Sequence, residues 1–598
     1  MVGRICAIVL FFFLTVSEPY ALEFNKQLMI DDFTQIVNMF KTLYAPVEWK
    51  LTHENINIDE EAEKIKNEIF NSSDITVSEY QNLLSAFFHS TKDMHTGVYF
   101  HKTKQATLPL LIQGTGEKYF IMWIDRQKLP KKVFPYSVGN EIVKMGDETI
   151  VEIIEKLKKH LPDSNGKSNL AYTELFITRR YAAFGMNVPK GPVTLSIRKK
   201  EYISQIQLIW DFEEESVADP ANISLANKFY NEKIDIYPKD NRIQPLLLKQ
   251  NTSDYFFNQS KKNQMILPFA SNLKRLIKAE TPFDIGSKKS FIPKLGIKVW
   301  ETDKKNPFYA YIFITPKKNL IGYIRIPSYN YTLNLTLEGK IKTSVDYFIE
   351  IIEKFEETTD AIVIDQVNNP GGSVFYLYAL ASVLTDYPLY TPKHKMAITQ
   401  EDVIDAKWFL DILQEIKTDE DAKKILGETY SGYPISYEFV SFYKSYCNFI
   451  ISEWNAGRYL TKPYFLEGVD KINPHNKVNY TKPILIINNA LSISAADFFA
   501  AIMQDNKRAV IFGTNTSGAG GYVTTVRYPN MFGIESYTLT RSIAERIDNI
   551  PIENLGVAPD ISYKLTQEDF QNDFIPFTVT AIMVVDEMCN LFYNFSGD

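Results

Sequence analysis

The sequence predicts a multidomain α/β protein with a helical N-terminal region, a small β-rich module and a large α/β domain toward the C-terminus. Three observations carry this. At 598 residues the chain is longer than one hydrophobic core supports, so two or three domains are expected. Apolar residues recur at three- and four-residue spacing from about Leu22 to Phe100, the helical period. Beyond Ser287, short runs of buried-strand type are followed by small-residue turns and then helical segments, the order of an α/β sheet.

Taken in chain order, Arg4 precedes the apolar run ICAIVLFFFL (Ile5 to Leu14), and Ser17 to Ala21 supply a place for cleavage. Residues 1–21 therefore read as a signal peptide, because the run is shorter than the roughly 20 residues a spanning helix needs. Export and a secreted product are expected. Residues 22–105 form the helical region, with Phe33, Ile36, Val37, Phe40 and Leu43 on one face and a second stripe through Tyr80 to Phe88. Residues 106–212 switch to short alternating segments (LPLLIQG, KYFIMWI, VTLSIRKKE). Val138 to Glu148 resembles the PDZ pattern in which a strand follows a VGDxI turn, and Val193 to Lys199 resembles its closing strand. Residues 213–286 lose periodicity and gain Asn, Ser and Lys, most of all in NTSDYFFNQSKKN (Asn251 to Asn263), and read as an exposed linker or insertion. In residues 287–598 three strand units stand out: AIVID (Ala361 to Asp365) before NNPGG and a helix from Val374, PILIIN (Pro483 to Asn488) before a helix from Ser494, and AVIFG (Ala509 to Gly513).

Composition narrows the function. A hydrophobic share of 45% with 23% charged residues is globular composition and excludes extensive disorder. A net charge of −7 without an arginine-rich stripe removes the footprint of a nucleic-acid binder. Cys6 would leave with the signal, and Cys447 and Cys589 leave open one disulfide or two buried thiols. No cysteine spacing resembles a metal site, and the six-residue spacing of His89, His95 and His101 fits neither one helical face nor a usual zinc pattern. Neither metal nor cofactor is expected.

Ser494 follows a buried strand by a short turn and opens a helix whose first residues, Ala495 and Ala496, are small. A hydroxyl there faces unpaired backbone N–H groups and the positive end of the helix dipole, which stabilise an oxyanion. Read from this segment alone, Ser494 is a helix N-cap, and Ser492 competes for either role. In Asn368-Asn369-Pro370-Gly371-Gly372, also between strand and helix, two glycines let N–H groups be presented without a Cβ in the way. His95, in KDMHTGVYF, lies where the helical region meets the β module and can face another domain from there.

In order along the chain, DMHTG, IGYIRIPSYN (from Ile321), IDQVNNPGG (from Ile364), SAADFFAAIMQD (from Ser494), VIFGTNTSGAGG (from Val510) and PIENLGVAPD (from Pro551) resemble the C-terminal processing protease and tricorn-core superfamily of serine peptidases. GSKKSFIPKLG (from Gly286) and NNPGGSVFYLYAL (from Asn368) place the resemblance in one branch of it. It implies a crotonase-like ββα-spiral protease domain and an endopeptidase acting on proteins or peptides through an acyl-enzyme. Ser494 matches the nucleophile, His95 the base and Glu553 the carboxylate that orients the base. Gly371 and Ala495, with Gly372 beside them, match the oxyanion donors. Relatives with a serine–lysine dyad carry the lysine in a GKG turn, where this chain has Gly518, Ala519 and Gly520. Alanine cannot take a proton, which leaves the histidine route. Asp365 and Asp497 read as structural. The resemblance further implies a self-processed zymogen, blocked by a segment within Asn222 to Phe283, that works as a homodimer on host proteins. Two alternatives stay open: a non-catalytic ligand-binding protein on the same fold, and a housekeeping, tail-specific processing protease.

Overall fold

The structure is a computed structural model that describes residues 17–215, 265–266, 281–292, 295–335 and 341–595. The expected signal peptide up to residue 16 and most of the 213–286 linker lie outside the described residues.

Among the described residues, four helices, Ser17–Leu43, Val47–Glu54, Ile58–Asn71 and Val77–Ser90, make up the N-terminal region. The last begins with a capping box, in which Thr76 and Glu79 exchange side-chain and backbone bonds. Phe33, Ile36 and Phe40 are buried with Ile65, Ile69, Leu84, Phe87 and Phe88, as their spacing predicts. That core also takes in Val98 and Phe100 from the strand Gly97–Phe100, and Tyr537 and Leu539 from Ile534–Thr540. The two strands pair antiparallel. The helices thus share a core with a strand more than 400 residues away, and the turn before Gly97 is carried onto the C-terminal domain.

The β module is an antiparallel sheet in the order Leu110–Gly114, Tyr119–Ile124, Glu141–Met145, Pro192–Lys199, Tyr202–Ile209, with helices Ile150–Lys158 and Lys167–Glu174. The strand that resembles a closing strand has a further hairpin partner, Tyr202–Ile209. Of its residues only Leu208 is buried and Ile206 half-buried, so alternation is confined to Gln205–Ile209.

The C-terminal domain is built on a seven-stranded sheet, in the order Ile297–Glu301, Tyr309–Ile314, Leu320–Arg325, Ala361–Asp365, Ile484–Asn488, Val510–Gly513, Ile561–Ser562. The first three pair antiparallel, and from Leu320–Arg325 onward neighbours are parallel. AIVID and ILIIN are apolar up to their last residues, Asp365 and Asn488, because both faces are covered. Ile362, Ile364, Ile484 and Ile486 share a core with the helices Ser344–Thr358, Val374–Ser382 and Ala495–Asp505. Val363, Leu485 and Ile487 face Phe577, Ala581 and Val585 of the helix Ile575–Phe595, in a core that also holds Phe120 of the β module. Cys447 and Cys589 are both free and buried. NNPGG and the turn before Ser494 leave the carboxyl ends of two adjacent parallel strands, the edge where open α/β sheets place their ligands.

Candidate active site

The strand Ile484–Asn488 is fully buried, so the turn Asn489 to Ile493 is anchored at its base. Ser492 Oγ donates to the Gln366 carbonyl (2.9 Å) and accepts from the Asn489 N–H (3.2 Å), which fixes it as a structural hydroxyl. Ser494 shares a capping box with Asp497, as its place at a helix start predicts, and what sets it apart is its backbone: it sits at φ 60°, ψ −116°, whereas Ser373 caps the helix Val374–Ser382 from extended backbone, φ −74°, ψ 128°, with its side chain accepting the Tyr376 N–H. A non-glycine residue in so sparsely populated a region costs about 1–3 kcal/mol and persists only where its surroundings enforce it. Here the Ser494 N–H donates to Asp497 Oδ2 (2.7 Å), and the same carboxylate accepts the Gly518 and Ala519 N–H groups at 2.8 and 3.2 Å. Burial pushes Asp497 up to about 6 against the pull of these bonds. The Ala495 N–H opens the helix and has no carbonyl within it to bond.

NNPGG is bound to that turn. Asn368 and Asn489 exchange bonds, N–H to Oδ1 at 2.9 Å and Nδ2 to Oδ1 at 2.7 Å, and the Ile493 N–H donates to the Asn369 carbonyl at 2.9 Å. Gly371 has φ 85°, and a Cβ on it would lie 2.7 Å from Ser494 Cβ and 2.8 Å from the Ala495 nitrogen. A Cβ on Gly372 would lie 2.3 Å from the Tyr329 carbonyl oxygen. Only glycine lets this loop approach the serine so closely. The Gly371 N–H donates to Asn369 Oδ1 (2.8 Å) in this arrangement. The two-residue strand Met265–Ile266, from the linker, pairs antiparallel with Gly371–Gly372.

His95 lies in the turn before Gly97–Phe100. Its N–H donates to Asp93 Oδ1 (2.8 Å) and its carbonyl accepts the Thr538 hydroxyl (2.7 Å), while Thr540 donates to Asp93 Oδ2 (2.7 Å). The imidazole is buried, and neither ring nitrogen has a hydrogen-bond partner among the described residues. Burial pushes it down to about 4; the Asp93 carboxylate opposes this and the Lys50 charge reinforces it. A neutral imidazole with an unused acceptor suits a general base.

Glu553 is fully buried too, and its oxygens go elsewhere than to His95. Oε1 takes the Lys50 ammonium at 2.5 Å and Oε2 accepts the Gly520 N–H at 3.1 Å. Burial, then the Asp93 carboxylate, raise this carboxyl, and Lys50 lowers it. The turn Gly518-Ala519-Gly520 thus joins the two halves: its first two N–H groups hold Asp497 beside Ser494, and its third holds Glu553. Met94, Ile493 and Ala519, neighbours in sequence of His95, Ser494 and Gly520, belong to one buried cluster. Asp365 accepts from Arg325 (3.1 Å) and Tyr323 (2.5 Å) inside the core, a structural role.

Two residues here have no counterpart in the sequence reading. Lys50 and Asn554 meet beside Glu553, and a lysine in an amphipathic helix reads as solvated, so its burial had no local signal. An asparagine at φ 64° two residues before Gly556 reads as an ordinary turn.

Residues 320–563 match the sequence model of Peptidase family S41, and residues 104–219 match that of the PDZ domain. A protein of Chlamydia pneumoniae is 33% identical over 598 residues, covering 98% of this chain and 94% of its own. The crystal structure of mature CPAF, the chlamydial protease-like activity factor, superposes with TM-score 0.78 at 28% identity over 94% of this chain and 98% of that one. Mature CPAF complexed with lactacystin gives 0.77 at 28%, over 94% and 99%.

Proposed function

The chain belongs to peptidase family S41, and on that premise we propose that it is an exported serine endopeptidase that forms its acyl-enzyme on Ser494. The observation that carries the reading is the strained backbone of Ser494, held at a helix start against a loop that only glycine can form. Ser494 Oγ attacks the scissile carbonyl carbon and its proton passes to His95. The carbonyl oxygen, now an anion, is met by the Ala495 N–H and by the Gly371 N–H once that group exchanges Asn369 for the oxyanion. His95 then gives its proton to the leaving amine, and water, activated by the same imidazole, releases the acyl group. Glu553 supplies the anion that offsets the imidazolium.

The chain is made as a zymogen in this reading. Ser494 and His95 are 0% and 1% exposed, and the Gly371–Gly372 edge, where an extended substrate would add as a strand, is paired with Met265–Ile266 from the chain's own linker. Cutting that linker opens the site. The cut chain then acts as a homodimer, for which the exposed apolar stripe Ile575, Val579, Met583 and Leu591 on the C-terminal helix is suitable surface.

A serine-directed fluorophosphonate tests the reading. The cut chain is expected to take the label on the Ser494 peptide and the uncut chain to resist it, with lactacystin competing. Ser494→Ala is expected to lose both label and proteolysis, by about 10³-fold or more, with its melting temperature unchanged. Cleavage of a denatured protein by Ser494→Ala at the wild-type rate would falsify it.

A further inference from the structure

Lys50 lies in the helix Val47–Glu54, is fully enclosed, and uses all three ammonium hydrogens: on Glu553 Oε1 (2.5 Å), Asn554 Oδ1 (2.7 Å) and the Lys92 carbonyl (2.9 Å). Lysine is almost never fully buried unless paired, and a buried pair repays its desolvation only when the remaining donors and acceptors are satisfied. Here they are, since the other Glu553 oxygen takes the Gly520 N–H. The carboxylate is therefore gripped between a cation from the N-terminal helices and a turn whose middle residue is Ala519. The cation that this turn lacks is brought in from 469 positions earlier in the chain.

We propose that Lys50 is a positioning residue of the proteolytic machinery: it fixes Glu553 as a carboxylate against Gly520, in place for the imidazolium that forms when His95 takes the Ser494 proton. The inference rests on the serine-protease reading. Among the described residues, three charged groups bear on His95. Asp93 is on its own turn, Lys50 comes from the helix Val47–Glu54, and Glu553 is reached through Lys50. The Tyr44 hydroxyl faces Asp93 and Glu553, and the strand Ile534–Thr540 adds only the hydroxyls of Thr538 and Thr540. Lys50 and Asp93 act on the imidazole with opposite sign, so the base is held between them. When His95 takes the proton, each of the two cations has a carboxylate at hand.

The test is the pH profile of kcat/KM for the full chain after cutting, compared with Lys50→Met. Removing the cation favours protonation of His95 and of Glu553 alike. The acid limb is therefore expected to move to higher pH by about 1–3 units. Just above the wild-type limb, kcat should fall about 10- to 100-fold with KM little changed, and recover as the pH is raised. A loss that is uniform across pH, with the limb unmoved, overturns the proposal. If Lys50→Met does not fold, Lys50→Met/Glu553→Gln leaves no lone buried charge and is compared with Glu553→Gln. The double variant is expected to lose no more activity than the single one, and multiplying losses overturn the proposal. Fluorophosphonate labelling separates the two ideas. A cut wild-type chain that takes no label sinks the protease reading and this proposal with it, whereas a labelled chain whose limb ignores Lys50→Met sinks this proposal alone.

Discussion

The proposed nucleophile half of the site and the proposed proton half are built by opposite strategies. Ser494, Asn489, Asn368, Asn369 and Gly371 come from two short loops that leave adjacent parallel strands, so the sheet alone sets their spacing. Lys50, Asp93, His95, Gly520, Glu553 and Asn554 come from four segments spread over some 500 residues, and tertiary packing sets theirs. The first half stores backbone strain and the second stores buried charge. Strain fails sterically and at all pH values, while charge fails through protonation.

The largest effect is therefore expected where strain is tightest. Gly371→Ala adds a methyl 2.7 Å from Ser494 Cβ at φ 85°, so the loop or the serine must move. Loss of oxyanion geometry should cost about 10²- to 10³-fold in kcat at every pH. Gly457, at φ 71° with open space around its Cβ position, is the control. Gly457→Ala is expected to cost about 1 kcal/mol of stability and no activity. Equal kcat for the two variants would remove the steric account of the nucleophile half.

Legibility in the sequence follows the same division. The strand units Ala361 to Asp365, Pro483 to Asn488 and Ala509 to Gly513 appear within one residue of their structural ends, because a strand buried on both faces is a continuous apolar run. Strand, turn and helix order make Ser494 and NNPGG candidates, although alone they read as a helix N-cap and a tight connection, and the shared order of motifs is what raises them above that. His95 and Glu553 could not be picked out in this way, and only the order of motifs shared with related peptidases pointed to them. Lys50 was illegible by either route: VEWKLTHE contains no motif, and what makes its lysine special is a carboxylate 503 positions away. Tyr202–Ile209 is hard to read for a plainer reason, since this largely exposed hairpin strand alternates only over Gln205 to Ile209.

An intermediate effect is expected at Asn554, which ties the proton half together. Its Oδ1 accepts from Lys50 (2.7 Å) and Trp49 Nε1 (3.1 Å), and its Nδ2 donates to the Lys92 and Ser164 carbonyls (2.8 and 2.7 Å). One side chain thus joins the helical region, the β module and the catalytic domain. Asn554→Ala leaves several buried groups unpaired, at about 1–3 kcal/mol. It is expected to lower the urea midpoint and to cut kcat about tenfold through misplacement of Glu553 and Lys50. An unchanged midpoint would show that the three regions hold together without this joint.

The smallest effect on activity, and the sharpest contrast of charge with charge, is expected at Glu174. Like Glu553 it is a buried carboxyl, but it sits in the β module, where it accepts the Gly114 N–H (3.3 Å) at the sheet edge and has no cation beside it among the described residues. Burial pushes it up to about 8, against the pull of that N–H and of Gln113. Because the folded value lies above the unfolded one, its contribution to stability is complete below about 4.5 and is lost as the pH rises through about 8. Glu174→Gln keeps the shape and cannot ionise. Its melting temperature should equal that of wild type near pH 4.5, pull ahead by roughly 2–4 °C near neutrality and level off above pH 8, with kcat/KM unchanged throughout. A difference that stays constant with pH would mean that Glu174 is compensated as Glu553 is, and the distinction between a carboxylate given a cation and one left without would fall.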